Sequence, residues 1–582
     1  LFREYYQTEL AYLRELGREF ALANPDLSNL FAEKGGDPDV ERLLEGFAFL
    51  TARIRERIND AIPEVVESLA QLLLPHYLRT IPATSVVEFI PILNALRGRH
   101  LLPKGSEIAS RPVRGTRCLF RTTADIDLIP LTVERCIGDE ALGARPTIQM
   151  TCSVLGQAYD AIFAPRGIEL FINGPIAQTS TLFLWFQRHL RGARFVNSAG
   201  SPIELDVSRI RAVALEPDYT LLPWPDRAPT GPRLLQEYFT LPQKLLFLRV
   251  EGLERIPIVK ATDRFDLLFR FEQPPELVER VETETFRVNC ASVINLFNTS
   301  ADPIRQDDRL KEYLVRAAGI DPMHMEVYSI HSVVGVRGEG RRRFPYKPFF
   351  DFDHEALPPD EQGFYTVRHA LSPLDQMLDT YLSCFPPQGE PNASDEEILS
   401  IELTCTNRLL PAELRVGEIS QRTTGSTTLA TFRNLTGVTV PISPPTGSEL
   451  YWRLIAHLAV NYRSLADPGT LRALLSLYNF QRQASQQQGR ANQLRVDAVR
   501  AVTMKPAKRL LDNHPVLGIS TTVEVDEPQF ASVGDAYLFG CTLDALFGAQ
   551  VPMNSFNQLT LRLNPSSATL IWPPRNGNQP IL

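Results

Sequence analysis

The chain has 582 residues, 44% of them hydrophobic and 22% charged, with a formal net charge of −8. That length exceeds a single hydrophobic core and predicts about three to five domains. The composition is that of a globular protein, and its acidic balance gives no global electrostatic reason to bind nucleic acid.

The first predicted element covers residues 2–23. Phe2, Tyr6, Leu10, Leu13, Leu16 and Phe20 recur at steps of three and four, with Arg3, Gln7, Arg14 and Arg18 between them, which is one apolar helical face. Asn24-Pro25-Asp26 ends it. Residues 39–84 then carry a second and longer seam. Leu43, Phe47, Leu50, Ile54, Ile58 and Ile62 line one face, and Arg53, Arg55, Glu56, Arg57 and Asp60 the other. Pro63 fits the first turn of a further helix, which stops at Leu74-Pro75. These elements predict an N-terminal helical module over residues 1–82.

From Ser85 the period changes. Runs such as VVEFIPIL, CLFRTT, IQMTCSVL and GIELFING are short, β-branched or aromatic, and split by Gly and Pro, which predicts a β-rich, sandwich- or barrel-like domain over 83–231. Residues 179–190 read as a helix within it. A mixed, mainly β region is expected over 232–446, with a helix at RLLQEYFTL and a half-buried strand in which Leu399, Ile401, Leu403 and Cys405 share one face. An αα-hairpin and a small α/β domain are expected over 447–582, the polar stretch 481–493 being an exposed loop or linker. The fold class is therefore multi-domain α+β.

Candidate chemistry is sparse. Asp351, Asp353, His354 and Glu355 lie close enough to invite a divalent cation or an acid/base pair. Pro358 stands where a metalloprotease helix needs its second His, and the flanking prolines predict a solvated loop. GVRGEG lacks the GxGxxG spacing, and the arginines 337, 341, 342 and 343 read as a basic hairpin tip in water. His331 reads as a hydrogen-bonding strand residue. Seven scattered cysteines with no CxxC pair argue for buried thiols rather than a disulfide framework or a zinc site. No apolar run reaches the length of a membrane helix and no signal-peptide pattern is present, so the expected compartment is the cytoplasm. No catalytic, cofactor-binding or metal residue emerges, and no cofactor is expected.

Several long segments do carry a resemblance. FREYYQTELAYLRELGREFALANPDLSNLF, DPDVERLLEGFAFLTARIRERINDAIPEVVESLAQLLLPHYLRTIPATSVVEF, RLLQEYFTLPQKLLFL, NLFNTSADPIRQDDRLKEYLV, MEVYSIHSV, YLFGCTLDALFGAQVPMNSFNQLTLR and the terminal WPPRNGNQPIL follow one another along nearly the whole chain. In that order they resemble the TssF (ImpG/VasA) family, baseplate wedge subunits of bacterial type VI secretion systems. The departures fall in 206–230, 335–344 and 481–493, which are expected to be surface loops. The resemblance implies a non-enzymatic structural subunit. Two copies would join one TssG, and the wedge would reach TssK, TssE, the spike protein VgrG and neighbouring wedges. It would be docked at the inner membrane through the secretion apparatus. The resemblance also implies hinges between the domains, for which Gly447 and residues 481–493 are the candidates. It further implies that the helical seams enter a bundle shared between chains, with Phe47, Leu50, Ile54, Ile58, Leu13 and Phe20 as the candidate partner interface. A β-rich polysaccharide-active hydrolase is the alternative; it would need paired carboxylates facing each other across a cleft. A nucleic-acid adaptor is disfavoured by the charge.

Overall fold

The computed structural model describes residues 78–577 apart from short gaps, the longest at 257–263, 273–280, 351–362, 386–396 and 445–463, together with His76 and scattered positions between 6 and 53. The chain forms two compact units, Leu1–Leu78 with Pro445–Tyr451, and Arg79–Pro444 with Trp452–Leu582. In the first, Tyr6, Gln7, Leu10, Leu13, Arg42, Leu43, residues 45–51 and Arg53 are all helical.

The second unit is built from mainly antiparallel sheets, as suits the short alternating runs. A six-stranded sheet among the described residues runs in the order Ile419–Gln421, Glu107–Val113, Thr116–Thr122, Cys290–Ile294, Thr84–Pro91, Ala430–Asn434. Its two outer strands meet. The Ile419 N–H donates to Asn434 Oδ1 at 3.0 Å and the Gly417 N–H to the Asn434 carbonyl at 3.1 Å. The sheet thus curls into a nearly closed barrel around Val87, Phe89, Ile108, Phe120, Val293 and Phe432. Two smaller sheets adjoin it in sequence. One holds Arg264–Phe271 between Leu190–Asn197 and Thr147–Val154, and the other pairs Phe247–Val250 with Ile168–Ile172.

An eight-stranded sheet is centred on Glu397–Thr406, flanked by Glu326–Arg337 and Phe297–Ser300. Leu399, Ile401, Leu403 and Cys405 are at most 1% exposed, the face that alternation predicts. This sheet is fastened to the barrel by two buried asparagines. The Asn295 amide donates to the Leu119 carbonyl at 2.7 Å and to Asn407 Oδ1 at 2.8 Å. Asn407 N–H donates to Asn295 Oδ1 at 2.7 Å, and Leu119 N–H to Asn407 Oδ1 at 2.9 Å. Each side chain thus satisfies backbone groups, on Leu119 in its strand and on Asn407 just past the end of another, that would otherwise be buried without a partner.

Five helices of this unit are α1 (Ile176–Leu184), α2 (Thr230–Thr240), α3 (Pro468–Leu477), α4 (Gln486–Asp497) and α5 (Val533–Ala549). α3 is the second arm expected of the αα-hairpin, capped by Asp467, whose Oδ2 accepts from Thr470 N–H at 2.7 Å. Its first arm and Gly447 lie outside the described residues. α4 corrects the reading of 481–493 as a loop or linker from Gln486 on, residues 481–485 lying outside the described residues. A sequence of glutamines and asparagines lacks an apolar face, yet here its polar side chains are the packing. Asn492 Nδ2 donates to the Phe239 carbonyl at 3.0 Å and Gln488 Nε2 to the Thr240 carbonyl at 3.1 Å. Those are carbonyls that the end of α2 leaves without helical partners. The 335–344 stretch is likewise no free loop at its ends. Gly335 pairs with Phe344 across adjacent strands and both are buried.

The chain closes with a sheet in which the long strands Val499–Leu511 and His514–Asp526 form an antiparallel ribbon, and the second of them pairs in parallel with Phe556–Asn564. α5 is buried from Val533 to Gly548, which suits a helix apolar on every side.

Replacing Asn407 by Ala leaves the Leu119 N–H and the Asn295 amide without their acceptor in a dry site. The expected cost is about 2–3 kcal/mol, read as a lower urea midpoint for the transition that unfolds the barrel. An unchanged midpoint would show that the asparagine pair carries no stability.

Candidate interaction surfaces

Phe47 and Leu50 lie three residues apart on one helical stretch and are 65% and 59% exposed, beside Leu43 at 69%, whereas Ala48 is fully buried. The face that the chain itself covers at Ala48 is therefore turned away from the predicted seam. Phe49 adds a further exposed aromatic ring, which the three-and-four spacing did not single out. Leu13 is half-buried on its helix. Phe20, Ile54 and Ile58 lie outside the described residues. A cluster of large apolar side chains in water has an unmet free energy of roughly 25 cal/mol per Å², and such patches mark association surfaces.

A cleft of about 580 Å³ has walls that include Asp125, Asp127, Glu169, Glu216, Asp218 and Glu251. Sequence reading missed it because its acids come from four separate segments. Five of these carboxylates have partners within the chain. Asp127 accepts from Arg99 at 2.9 Å and pairs with Arg166 at 3.3 Å; Glu169 accepts from Arg249 at 2.7 Å and from the Tyr219 hydroxyl. Glu216 and Glu251 pair with Arg211 at 3.1 and 2.9 Å, and Asp125 accepts from the Lys104 N–H at 2.8 Å. Opposed charges crosslink the loops to the strands. Asp127, Glu169, Glu216 and Glu251 are thus held by arginines rather than left as the opposed acid and base that glycoside hydrolysis demands.

The other expected chemistry fares as follows. Asp351, Asp353, His354 and Glu355 lie outside the described residues. His331 sits in its strand and bonds the Thr404 hydroxyl. Arg337 and Arg342 pair across the base of the basic hairpin, with Arg343 exposed; the tip at 338–341 is outside the described residues. Cys384 is half-buried and the other six cysteines are buried. Burial pushes the Cys118 and Cys541 thiols up to about 11 and those of Cys136 and Cys405 to about 12, so none is a ready nucleophile. Among the described residues no group of three or more His, Cys, Asp or Glu could hold a metal ion, and no helix is long and apolar enough to cross a membrane.

One buried carboxyl stands out. Glu326, 2% exposed at the start of its strand, accepts from the Thr80 hydroxyl beside a cavity of about 70 Å³ that Arg408 also lines. Burial pushes it up to about 7, against a partial pull downward from Thr80 and Arg408.

A multi-domain, β-rich α+β chain with exposed apolar helical faces has the makings of an assembly subunit, and comparison with known proteins agrees. The family model for "Type VI secretion system, TssF" matches residues 1–579, and the chain belongs to that family. It is 30% identical to the type VI secretion system component TssF1 of Pseudomonas aeruginosa PAO1, an alignment covering 100% of this chain and 99% of that protein. A chain in a cryo-electron microscopy structure of a type VI secretion TssK-TssF-TssG baseplate subcomplex is 30% identical, with a TM-score of 0.78 over 93% of this chain and 99% of its own length. A chain of a type VI secretion baseplate complex is 28% identical, with a TM-score of 0.65 and complete coverage of both.

The Glu326 carboxyl makes a pH prediction with a definite sign. Its folded value is raised above the ordinary 4.5, so the unfolded chain holds fewer protons between those values. Its contribution to stability is present below pH 4.5 and lost as pH rises through 7. Glu326→Gln should remove that loss, a relative gain on the order of 2 kcal/mol between about pH 5 and pH 8. Parallel urea midpoints for the two proteins across that range would contradict it.

Proposed function

We propose that this chain is a non-enzymatic wedge subunit of a type VI secretion baseplate, assembling with TssG and TssK. The observation that carries this is the fold match, at 30% identity and over nearly the whole of both chains, to a subunit of a TssK-TssF-TssG baseplate subcomplex. The exposed Leu43, Phe47 and Leu50 face supports it physically, since an obligate interface resembles a core cut open and buries well beyond the ~1,600 Å² of a standard complex.

Within the wedge two copies join one TssG, and their N-terminal seams, including Phe47, Leu50, Ile54, Ile58, Leu13 and Phe20, enter a mixed helical bundle. The remaining domains reach TssE, the VgrG spike and neighbouring wedges, so that the subunit links spike, sheath and tube to the membrane complex. The wedge works on the cytoplasmic side, docked at the inner membrane through the apparatus. The pairing of Asp127, Glu169, Glu216 and Glu251 with arginines counts against the hydrolase alternative.

Co-expression with TssG, followed by native mass spectrometry, should give a complex of two chains of this protein to one of TssG. A one-to-one complex would overturn the stoichiometry. Phe47→Asp and Leu50→Asp change exposed positions, so folding should survive within about 0.5 kcal/mol, while capture of TssG is lost because a carboxylate is driven into an apolar contact. Ile54→Asp and Ile58→Asp should likewise lose capture of TssG. Folded variants that still hold TssG would sink the seam as an interface.

A further inference from the structure

The terminal sheet has a buried face that continues past its own cover. Thr521, Val523 and Val525 alternate on one strand opposite Leu559, Leu561 and Leu563 on the next, all of them fully buried. This face ends at a polar pair, the Thr521 hydroxyl bonded to Asn557 Oδ1 at 2.7 Å. Pairing with Phe556–Asn564 begins only at Ile519, yet the ribbon of the two long strands remains paired out to Leu511 and His514. About five residue pairs, or roughly 17 Å, therefore project as a two-stranded arm.

The arm is amphipathic. Directly paired residues share a face, so Pro506, Lys508 and Leu510 lie on the same side as Ile519, Leu517 and Pro515. That side is the extension of the buried face. Leu510 is 70% exposed and Leu517 63% exposed. The opposite side presents Lys505 and Arg509. Where the arm leaves the sheet it is gripped: the Ser555 hydroxyl donates to the Leu517 carbonyl at 2.8 Å, and Gly518 leaves room for the Phe556 ring that any Cβ would strike. An isolated two-stranded ribbon is marginal in water, and this one holds two leucines in solvent.

We propose that this arm is a latch that docks by its Leu510–Leu517 face on a folded partner protein within the wedge, at an apolar trough edged by carboxylates. The inference rests on the assembly reading above and adds to it a surface and a chemistry. Charge selects the occupant. Residues 503–519 carry three cations, Lys505, Lys508 and Arg509, against one carboxylate, Asp512, in a chain of net charge −8. An arm-to-arm contact between two copies would be isologous and would set Lys508 against its own counterpart. Strand addition along the outer edge is blocked by Pro506, which has no N–H, and by the flanking lysines. A lipid surface is disfavoured because the segment has no aromatic residue of the kind that anchors at a bilayer interface. The face covers only about 200 Å² (two strands at the usual spacing), well short of the ~800 Å² per partner of a self-sufficient interface. The arm therefore strengthens a contact made elsewhere rather than making one alone.

The test uses the full chain co-purified with TssG and TssK, comparing the wild type with Leu510→Ser/Leu517→Ser and with Lys508→Glu/Arg509→Glu. The leucine variant should hold TssG or TssK about tenfold more weakly. The charge variant should weaken binding chiefly at low salt, flattening its ionic-strength dependence. Circular dichroism and melting of the free chain should stay unchanged, since these positions are exposed. Equal retention by wild type and both variants overturns the latch while leaving the assembly reading intact. A wild type that captures neither TssG nor TssK sinks the assembly reading and the latch together. Variants that instead lose self-association of the free chain, or lose binding to phosphatidylglycerol vesicles with protein capture unaffected, also overturn the proposal.

Discussion

Helix α5 is the piece on which the larger unit depends. It is buried along nearly its whole length, so its contacts must be supplied by elements distant in sequence. Gly534 lets its first turn press against the backbone of Ser180 in α1, with Ser532 and Ser180 hydroxyls 3.0 Å apart. Further along, Gly540 makes room for Trp572, whose ring stacks on Tyr537 with centroids 5.2 Å apart. Arg188, in the π-helical turn that continues α1, lies 5.4 Å above the Tyr537 ring and 5.6 Å above Trp572, a cation–π arrangement that closes the layer. The terminal sheet and the middle β region are thus joined through one apolar rod.

Buried ionic groups fix the orientation of that rod. Arg495 of α4 donates to Asp535 at the first turn of α5 at 3.0 Å and to Asn492 at 3.0 Å. In α2, Glu237 accepts from Leu221 N–H at 2.8 Å and Leu222 N–H at 3.1 Å and is paired with Lys244, all within the interior. Burial pushes the Lys244 ammonium below its ordinary range, with Glu237 pulling the other way. Such groups contribute less net stability than apolar ones of equal volume, but losing one partner is costly. They specify which surfaces meet. The same division holds at the Asn295–Asn407 pair, where directional bonds set the angle between two sheets that apolar packing alone would leave free to slide.

An assembly subunit needs rigidity inside and unmet surface outside, and the molecule separates the two. Asn295, Asn407, Glu237 and Asp535 are tied down in the interior, and four of the cleft acids are paired with arginines. Among the apolar side chains left in water are Leu43, Phe47 and Leu50 on the N-terminal helices and Leu510 and Leu517 on the terminal ribbon. In the proposed wedge these surfaces would be finished by other chains, which is why neither is capped by its own fold.

Periodicity by itself determined the local elements. The step of three and four in residues 39–62 indicates helix, and the strict alternation of Leu399, Ile401, Leu403 and Cys405 indicates a half-buried strand, because each period places apolar side chains on one face. The long matching segments also made the TssF family legible, since rare residue strings survive without any knowledge of contacts. What the sequence left open are features that depend on partners far along the chain. α4 reads as a polar linker until Phe239 and Thr240 offer it carbonyls to bind. The barrel joins residues 84–122 to 290–294 and 419–434, and no local pattern encodes such pairings. The six carboxylates of the cleft are scattered from 125 to 251. That the outer half of the strand His514–Asp526 lacks a cover could be known only from where the neighbouring strand begins. Side-chain period is a property of the backbone and is written locally; burial is a property of what arrives from elsewhere, and only the tertiary structure decides it.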